Sequence, residues 1–212
     1  MSAPDWSSWP ALAFGFFAGS IPFGVLVGRA FFQTDIRAAG SGNIGAANAL
    51  RTLGKKAGAA ILVLDALKGA AAILVAVEFA RRAGDPRAVA SIPVAGLAAV
   101  LGHCYMPWLR FRGGKGVATY LGAAFALSWE AGAVFVVVWL AAVTRTQYAS
   151  LGSMLATLAA GAAFLAFGGA VRYGGGAAIF AVGAAAVVTW QHRQNIARLR
   201  AGSENRTTLL KR

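Results

Sequence analysis

Binding a phosphate group takes cations and hydrogen-bond donors held in one cluster, and four short stretches of this chain carry that inventory. Residues 40–58, GSGNIGAANALRTLGKKAG, set Gly40, Gly42 and Gly45 beside Ser41, Asn43, Asn48 and Arg51. Glycine lets backbone N–H groups turn toward an anion, and arginine can hold a phosphate by two parallel hydrogen bonds. Residues 111–120, FRGGKGVATY, place Lys115 among Gly113, Gly114 and Gly116 as a compact cationic nest. Residues 148–153, YASLGS, put Ser150 and Ser153 where a helix would start, either capping it or aiming its N-terminus at an anion. Residues 192–205, HRQNIARLRAGSEN, carry His192 and Asn195. Ile196 and Leu199 there predict a short amphipathic helix along a membrane surface.

Plainer readings compete with each. Gly40, Gly42 and Gly45 spell G-x-G-x-x-G with Asp65 20 residues beyond Gly45, the spacing of a dinucleotide fingerprint. No strand leads into it and Asp65 falls in an apolar run, so that reading is set aside. Lys115 is not a Walker lysine, since no Ser or Thr follows it. It reads equally as an interfacial lysine, with Trp108 and Tyr120 as belt aromatics. His103 beside Cys104 invites a Cys–His nucleophile, but adjacent helix residues point to different faces. A buried histidine bonded to a backbone carbonyl is the expectation there. Asp65 and Lys68, at i and i+3, predict a structural ion pair near the site. The single cysteine excludes a disulfide framework or a thiolate metal site. No carboxylate cluster calls for a metal, and no cofactor is expected.

The elements that must position these residues are membrane spans. Of 212 residues, 58% are hydrophobic and 13% charged, about half the charge of a soluble domain. Apolar runs at 14–32, 57–80, 88–109, 117–144, 151–171 and 174–190 approach or exceed the roughly 20 residues a bilayer requires. The first is too long and too deep for a cleaved signal peptide. The stretch 117–144 is long for one span and short for two. Glu130 within it favours a break, because a charge at the bilayer centre is costly. Seven transmembrane helices result, the fourth and fifth short or tilted. The net charge of +13 collects at span ends, so a solvated nucleic-acid-binding face is excluded. The positive-inside rule then puts the N-terminus outside, the loop of Arg81, Arg82 and Arg87 outside, and the C-terminus in the cytoplasm. No repeat or linker divides residues 1–212, which read as a single all-α polytopic membrane domain. Its large share of Ala and Gly suits close helix packing, and a monomer is expected.

Three ordered motifs make the chain resemble a known family. They are S-G-N-x-G-x-x-N-x-x-R-x-x-G-x-x-x-G at 41–58, G-H-x-x-x-P-x-x-x-F-x-G-G-K-G-V-A-T at 102–119 and H-x-x-N-I-x-R-L-x-x-G-x-E at 192–204. With D-x-x-K-G at 65–69 and S-L-G-S at 150–153, they resemble the bacterial acyl-phosphate:glycerol-3-phosphate acyltransferases, the PlsY family. The resemblance implies a seven-helix enzyme of the inner membrane with its active site on the cytoplasmic face. It implies transfer of a fatty acyl group from acyl phosphate to the 1-hydroxyl of sn-glycerol 3-phosphate. Lysophosphatidic acid and phosphate are the products, and the step is the first acylation of phospholipid biosynthesis. Carried over by position, catalytic roles fall on Ser41, Arg51, Lys115, His192 and Asn195. Substrate binding falls on Gly40, Gly42, Asn43, Gly45, Asn48, Gly113, Gly114, Gly116 and Ser150. In the family a Thr usually precedes the first motif's Asn; here Ala47 precedes Asn48.

The chemistry implied needs little from the protein. Acyl phosphate is an activated mixed anhydride, so positioning and charge neutralisation suffice. In the family, the substrate's own phosphate is thought to take the hydroxyl proton; His192 would orient Asn195 or the substrate. The rival reading is a transporter of small phosphorylated solutes, which would show an inverted repeat and a midplane site.

Overall fold

The computed structural model describes residues 9–207, all of the regular structure in them helical. Lys211 and Arg212, which add to the basic C-terminal end, lie outside the described residues. Helix α1 (Trp9–Gly19) and α2 (Phe23–Phe32) form one apolar stretch broken where Pro22 cannot donate. A loop holding a short 3₁₀ turn leads to α3 (Ala46–Thr52) and the long α4 (Lys55–Ala83). Then come α5 (Ser91–Cys104), α6 (Val117–Leu127), α7 (Trp129–Thr146), α8 (Ala149–Phe164), α9 (Ala170–Tyr173), α10 (Gly175–Gln191) and α11 (Arg193–Arg200). Among the described residues, five stretches are long and apolar enough to cross a bilayer: Trp9–Phe32, Lys55–Ala83, Pro86–Leu109, Trp129–Thr146 and Ala149–Tyr173. Val117–Leu127 and Gly175–Gln191 are apolar but shorter.

The break expected inside 117–144 falls at Ser128, two residues before Glu130. Ser128 is extended, with ψ of 121°, and its hydroxyl accepts from the Ala131 N–H, so it caps α7. Glu130 is exposed in the first turn of α7, where a negative charge complements the helix dipole. The charge therefore sits at a helix end rather than mid-span.

Small residues bring the helices together. A Cβ on Gly122 of α6 would run into the Ala66 carbonyl of α4, and one on Gly69 of α4 into the Thr119 carbonyl of α6. Gly15 and Gly19 of α1 approach the Ala95 and Ala99 carbonyls of α5 in the same way. Where lipid is as apolar as leucine, such close backbone approach is what holds helices. The core between α6, α7, α8 and α10 is aromatic. Tyr120 stacks on Phe180 with centroids 5.2 Å apart, meets Phe135 at 6.0 Å, and donates to the Thr157 carbonyl. Tyr120 is fully buried, so it is a core residue and not an interfacial belt aromatic; Trp108 is 61% exposed and donates its indole N–H to the Ser20 hydroxyl at 2.8 Å.

Candidate active site

One cavity of about 380 Å³ gathers residues from α3, α4, α5, α6, α7, α8 and the chain after α10. Lys115 precedes the N-cap of α6. Gly116 caps that helix at φ +81°, a left-handed conformation open to glycine. The Lys115 ammonium donates to Asn195 Oδ1 at 2.5 Å. The amide of Asn195 donates in turn to Glu204 Oε1 at 2.6 Å, and the Ser150 hydroxyl reaches the same oxygen at 2.8 Å. Arg198 pairs with Glu204 Oε2 at 2.8 Å. Glu204 thus ties the start of α8 and both ends of the α11 segment to the lysine. A further backbone bond, from the Thr207 N–H to the Gln147 carbonyl at 2.8 Å, draws the tail across, and Asn205 and Thr207 line the cavity.

Charge at this site is set by burial and by these partners. Burial pushes the Lys115 ammonium down to about 8, with Glu204 opposing and Arg198 and Arg51 adding to the fall. Burial likewise takes His192 down to about 4, helped by Lys115, so it is neutral at neutral pH. Its Nδ1 faces the Val188 carbonyl at 2.8 Å. A carbonyl only accepts, so the proton sits on Nδ1 and Nε2 keeps its lone pair. Burial raises Glu204, but hydrogen bonds from Asn195, Ser150 and Arg198 outweigh it and hold the carboxylate below its usual range.

Of the residues singled out in the sequence, Asn43, Gly45, Arg51, Lys115, Gly116, Ser150, His192 and Asn195 line this cavity. Ser41, Gly42 and Gly113 line a neighbouring cleft with Arg37, Arg110 and Arg112, which meets the first at Asn43. Ser41 still reaches the site through Arg51, whose guanidinium lies 3.4 Å from its hydroxyl. Asn48 takes a different part. It is buried, accepts from the Ser41 N–H at 2.8 Å, and donates to the Ile36, Ala39 and Asn43 carbonyls. Its side chain is spent folding the loop, and the network closes with Ala47 in place of a hydroxyl residue.

The glycines also depart from expectation. The N–H groups of Gly113 and Gly114 donate to the Cys104 and His103 carbonyls at 3.0 and 2.9 Å. Those of Gly42 and Gly45 are taken by Ala39 and by Asn43 Oδ1. Gly40, at φ +60°, turns the chain against Asn48. These amides build loops and are not left free for an anion. Free amides come instead from helix starts: Val117 and Ala118 of α6 and Ala149 and Ser150 of α8 line the cavity, and a first turn leaves its N–H groups unpaired within the helix. Ser150 does not cap α8, which begins after Tyr148 without a side-chain cap; its hydroxyl goes to Glu204, and that of Ser153 to the Ala149 carbonyl.

Three further residues belong here. Glu204 is the hub, yet in sequence it is one acid in a basic tail, and only its place in the third motif marks it. Asp65 and His103 also line the cavity. Asp65 pairs with Lys68 at 2.8 Å, as the i, i+3 spacing predicts. The His103 Nδ1 has no hydrogen-bond partner, against the expected backbone carbonyl; Asp65 Oδ1 lies 3.6 Å from it.

A helical membrane bundle with a cationic cavity and an apolar wall defines a class: enzymes handling a phosphorylated headgroup and an acyl chain together. Residues 9–202 match the family of glycerol-3-phosphate acyltransferases, and the chain belongs to that family. Similar relatives include the glycerol-3-phosphate acyltransferases of Zymomonas mobilis, 42% identical over 91% of this chain and 92% of the relative, and Mesorhizobium japonicum, 46% identical over 92% and 94%. Among solved structures, the integral membrane glycerol 3-phosphate acyltransferase PlsY in its glycerol 3-phosphate form superposes with a TM-score of 0.83 at 36% identity, covering 97% of this chain and 98% of that one. Its lysophosphatidic acid form gives 0.81 at the same identity.

Proposed function

We propose that this acyltransferase moves a fatty acyl group from acyl phosphate to the 1-hydroxyl of sn-glycerol 3-phosphate, giving lysophosphatidic acid and inorganic phosphate. Family membership supports the acceptor and sets the transporter reading aside. The observation that carries the rest is the make-up of one cavity. Arg51 and Lys115, with the hydroxyl of Ser150 and the amide of Asn195, share it with apolar Leu121, Phe135, Val136 and Leu140. The cations hold phosphate; the apolar wall takes the chain. Trp139, whose indole N–H donates to the Ser153 hydroxyl at 3.3 Å, stiffens the boundary between them.

The glycerol oxygen attacks the acyl carbon, the bond from that carbon to the bridging phosphate oxygen breaks, and phosphate leaves with that oxygen. The hydroxyl proton passes to a phosphate oxygen of the substrate. Among the carboxylates of the cavity, Glu204 accepts from three donors and Asp65 is paired with Lys68, so neither is free as a base. His192, neutral and fixed through Nδ1, offers Nε2 as an acceptor to a substrate hydroxyl; its structural partner is Val188, so orienting Asn195 is not its part. Ser41 steadies Arg51, and Asn48 shapes the loop that presents it.

Seven spans follow if α6 and α10 cross in thinned bilayer, with residues 1–212 acting as one domain and as a monomer. The N-terminus is outside and the site faces the cytoplasm of a bacterial inner membrane, because Arg51, Lys115 and the α11 cations then share the positive side. The test of the donor is direct. Purified protein in detergent receives glycerol 3-phosphate with either acyl phosphate or acyl thioester, and products are identified by mass spectrometry. Lysophosphatidic acid from acyl phosphate supports the reading; formation from thioester alone overturns it.

A further inference from the structure

A buried polar chain that the mechanism leaves unused runs along the cavity, with Asp65 and His103 in its lining. It starts at the break between α1 and α2, where the Lys68 ammonium donates to the Ile21 carbonyl at 3.1 Å. Lys68 pairs with Asp65, both side chains under 4% exposed. Asp65 faces the His103 Nδ1 at 3.6 Å. His103 ends against the lysine loop twice over. Its carbonyl accepts the Gly114 N–H at 2.9 Å, and its imidazole lies so close to Gly114 that a Cβ there would strike Nε2. The residue after Gly114 is Lys115.

Burying such an ion pair is costly and is weak evidence for stability. The geometry points to a different use: we propose that His103, wedged between the Asp65–Lys68 pair and Gly114, is a positioning residue for Lys115, its ring setting the height of the loop and so where the ammonium meets phosphate. Lys115 moves with Gly114 because the loop is two residues from the α6 N-cap and has no slack. A 1 Å error in such a group is felt in catalysis. The inference rests on the reading of Lys115 as a phosphate ligand only for its kinetic arm.

Two readouts test it in the full-length protein, one without substrate turnover. The first is the pH dependence of Lys115 modification by an amine-reactive reagent, followed by mass spectrometry. Lys115 faces Glu204 on the tail, Arg198 on α11, Arg51 on α3 and His192, and its midpoint in the wild type is about 8. His103→Ala lets the loop shift and moves that midpoint up toward an ordinary lysine. The second is suppression. Gly114→Ala pushes the loop off the imidazole and raises KM for glycerol 3-phosphate about tenfold or more, with kcat changed far less. Adding His103→Ala to Gly114→Ala frees the space and recovers part of that loss. A Lys115 midpoint unmoved by His103→Ala, or a double variant that is no better than Gly114→Ala alone, overturns the proposal. If His103→Ala does not fold, His103→Asn carries the first readout, and Gly114→Ala, which must then also move the midpoint, carries the second. Loss of turnover with an unmoved midpoint would count against positioning and leave the acyltransferase reading standing.

Discussion

At the residue scale the site rests on few groups, and each has a stated job. Lys115 loses its ammonium as pH rises through about 8, so its attraction for phosphate is present below that pH and fades above it. The acceptor phosphate becomes a dianion above roughly pH 6. The account therefore predicts that kcat/KM for glycerol 3-phosphate rises through about pH 6 and falls above about pH 8. No limb belongs to His192, already neutral above about 4. A Lys115→Arg variant, its cation retained at every accessible pH, should flatten the basic limb, which a pH–rate profile reads directly. Glu204→Gln should lower stability by about 1–3 kcal/mol, because the new amide N–H groups oppose donors that now lack their acceptor; thermal denaturation in detergent measures it. The motifs made Arg51, Lys115, His192 and Asn195 legible in the sequence. What they could not convey is which polar atoms are already used. Asn48 and the amides of Gly42, Gly45, Gly113 and Gly114 have the right types for substrate contact, but they are already taken: Asn48 by the Ile36 carbonyl and others, Gly113 and Gly114 by the end of α5, Gly42 by the Ala39 carbonyl and Gly45 by the Asn43 side chain.

Among the elements, the helices act as rigid mounts whose spacing is fixed by glycine. Gly69 and Gly122 let α4, which carries Asp65, meet α6, which begins at Lys115's loop. Gly122→Leu should separate them and cost about 1–3 kcal/mol or more through overpacking, with activity falling in step with the loss of folded protein in a thermal-shift assay. Apolar runs located these helices in the sequence because hydropathy reports burial in lipid and in protein alike. The break at Ser128 was legible through Glu130, although the physical device is a serine cap with the acid in the first turn. The break at Pro22 was harder to see, since residues 14–32 read as one uninterrupted apolar run. Tyr120 is ambiguous in the sequence for a related reason. An aromatic near a span end suits an interface as well as a core, and only the Phe180 stack distinguishes them.

On the scale of the whole molecule, cations gather around the cavity on α3, the loop before α6 and α11, and the opposite end holds a group whose three arginines are largely offset by two acids. There Arg81 and Arg82 pair with Glu78, and Arg87 with Asp85. Cysteines introduced at exposed Arg82 and exposed Arg200 should therefore label from opposite sides of an intact membrane, Arg82 from outside. Labelling of both from one side would contradict the seven-span orientation. The fold's overall class was readable from composition, because a chain this apolar with charge at its span ends has few other places to be. The cavity was not, because it is assembled from six helices and the tail by approaches of the kind that leave only glycines in the sequence.

The central claim is that Lys115 and its neighbours bind phosphate so that acyl transfer can occur. The most direct measurement is phosphate release by the purified protein from acyl phosphate, with and without glycerol 3-phosphate, beside Lys115→Ala. The account predicts release that requires glycerol 3-phosphate and falls by about 10²–10³-fold in the variant, the loss expected for one charge-stabilising donor. Release at the wild-type rate from a folded Lys115→Ala protein would contradict it.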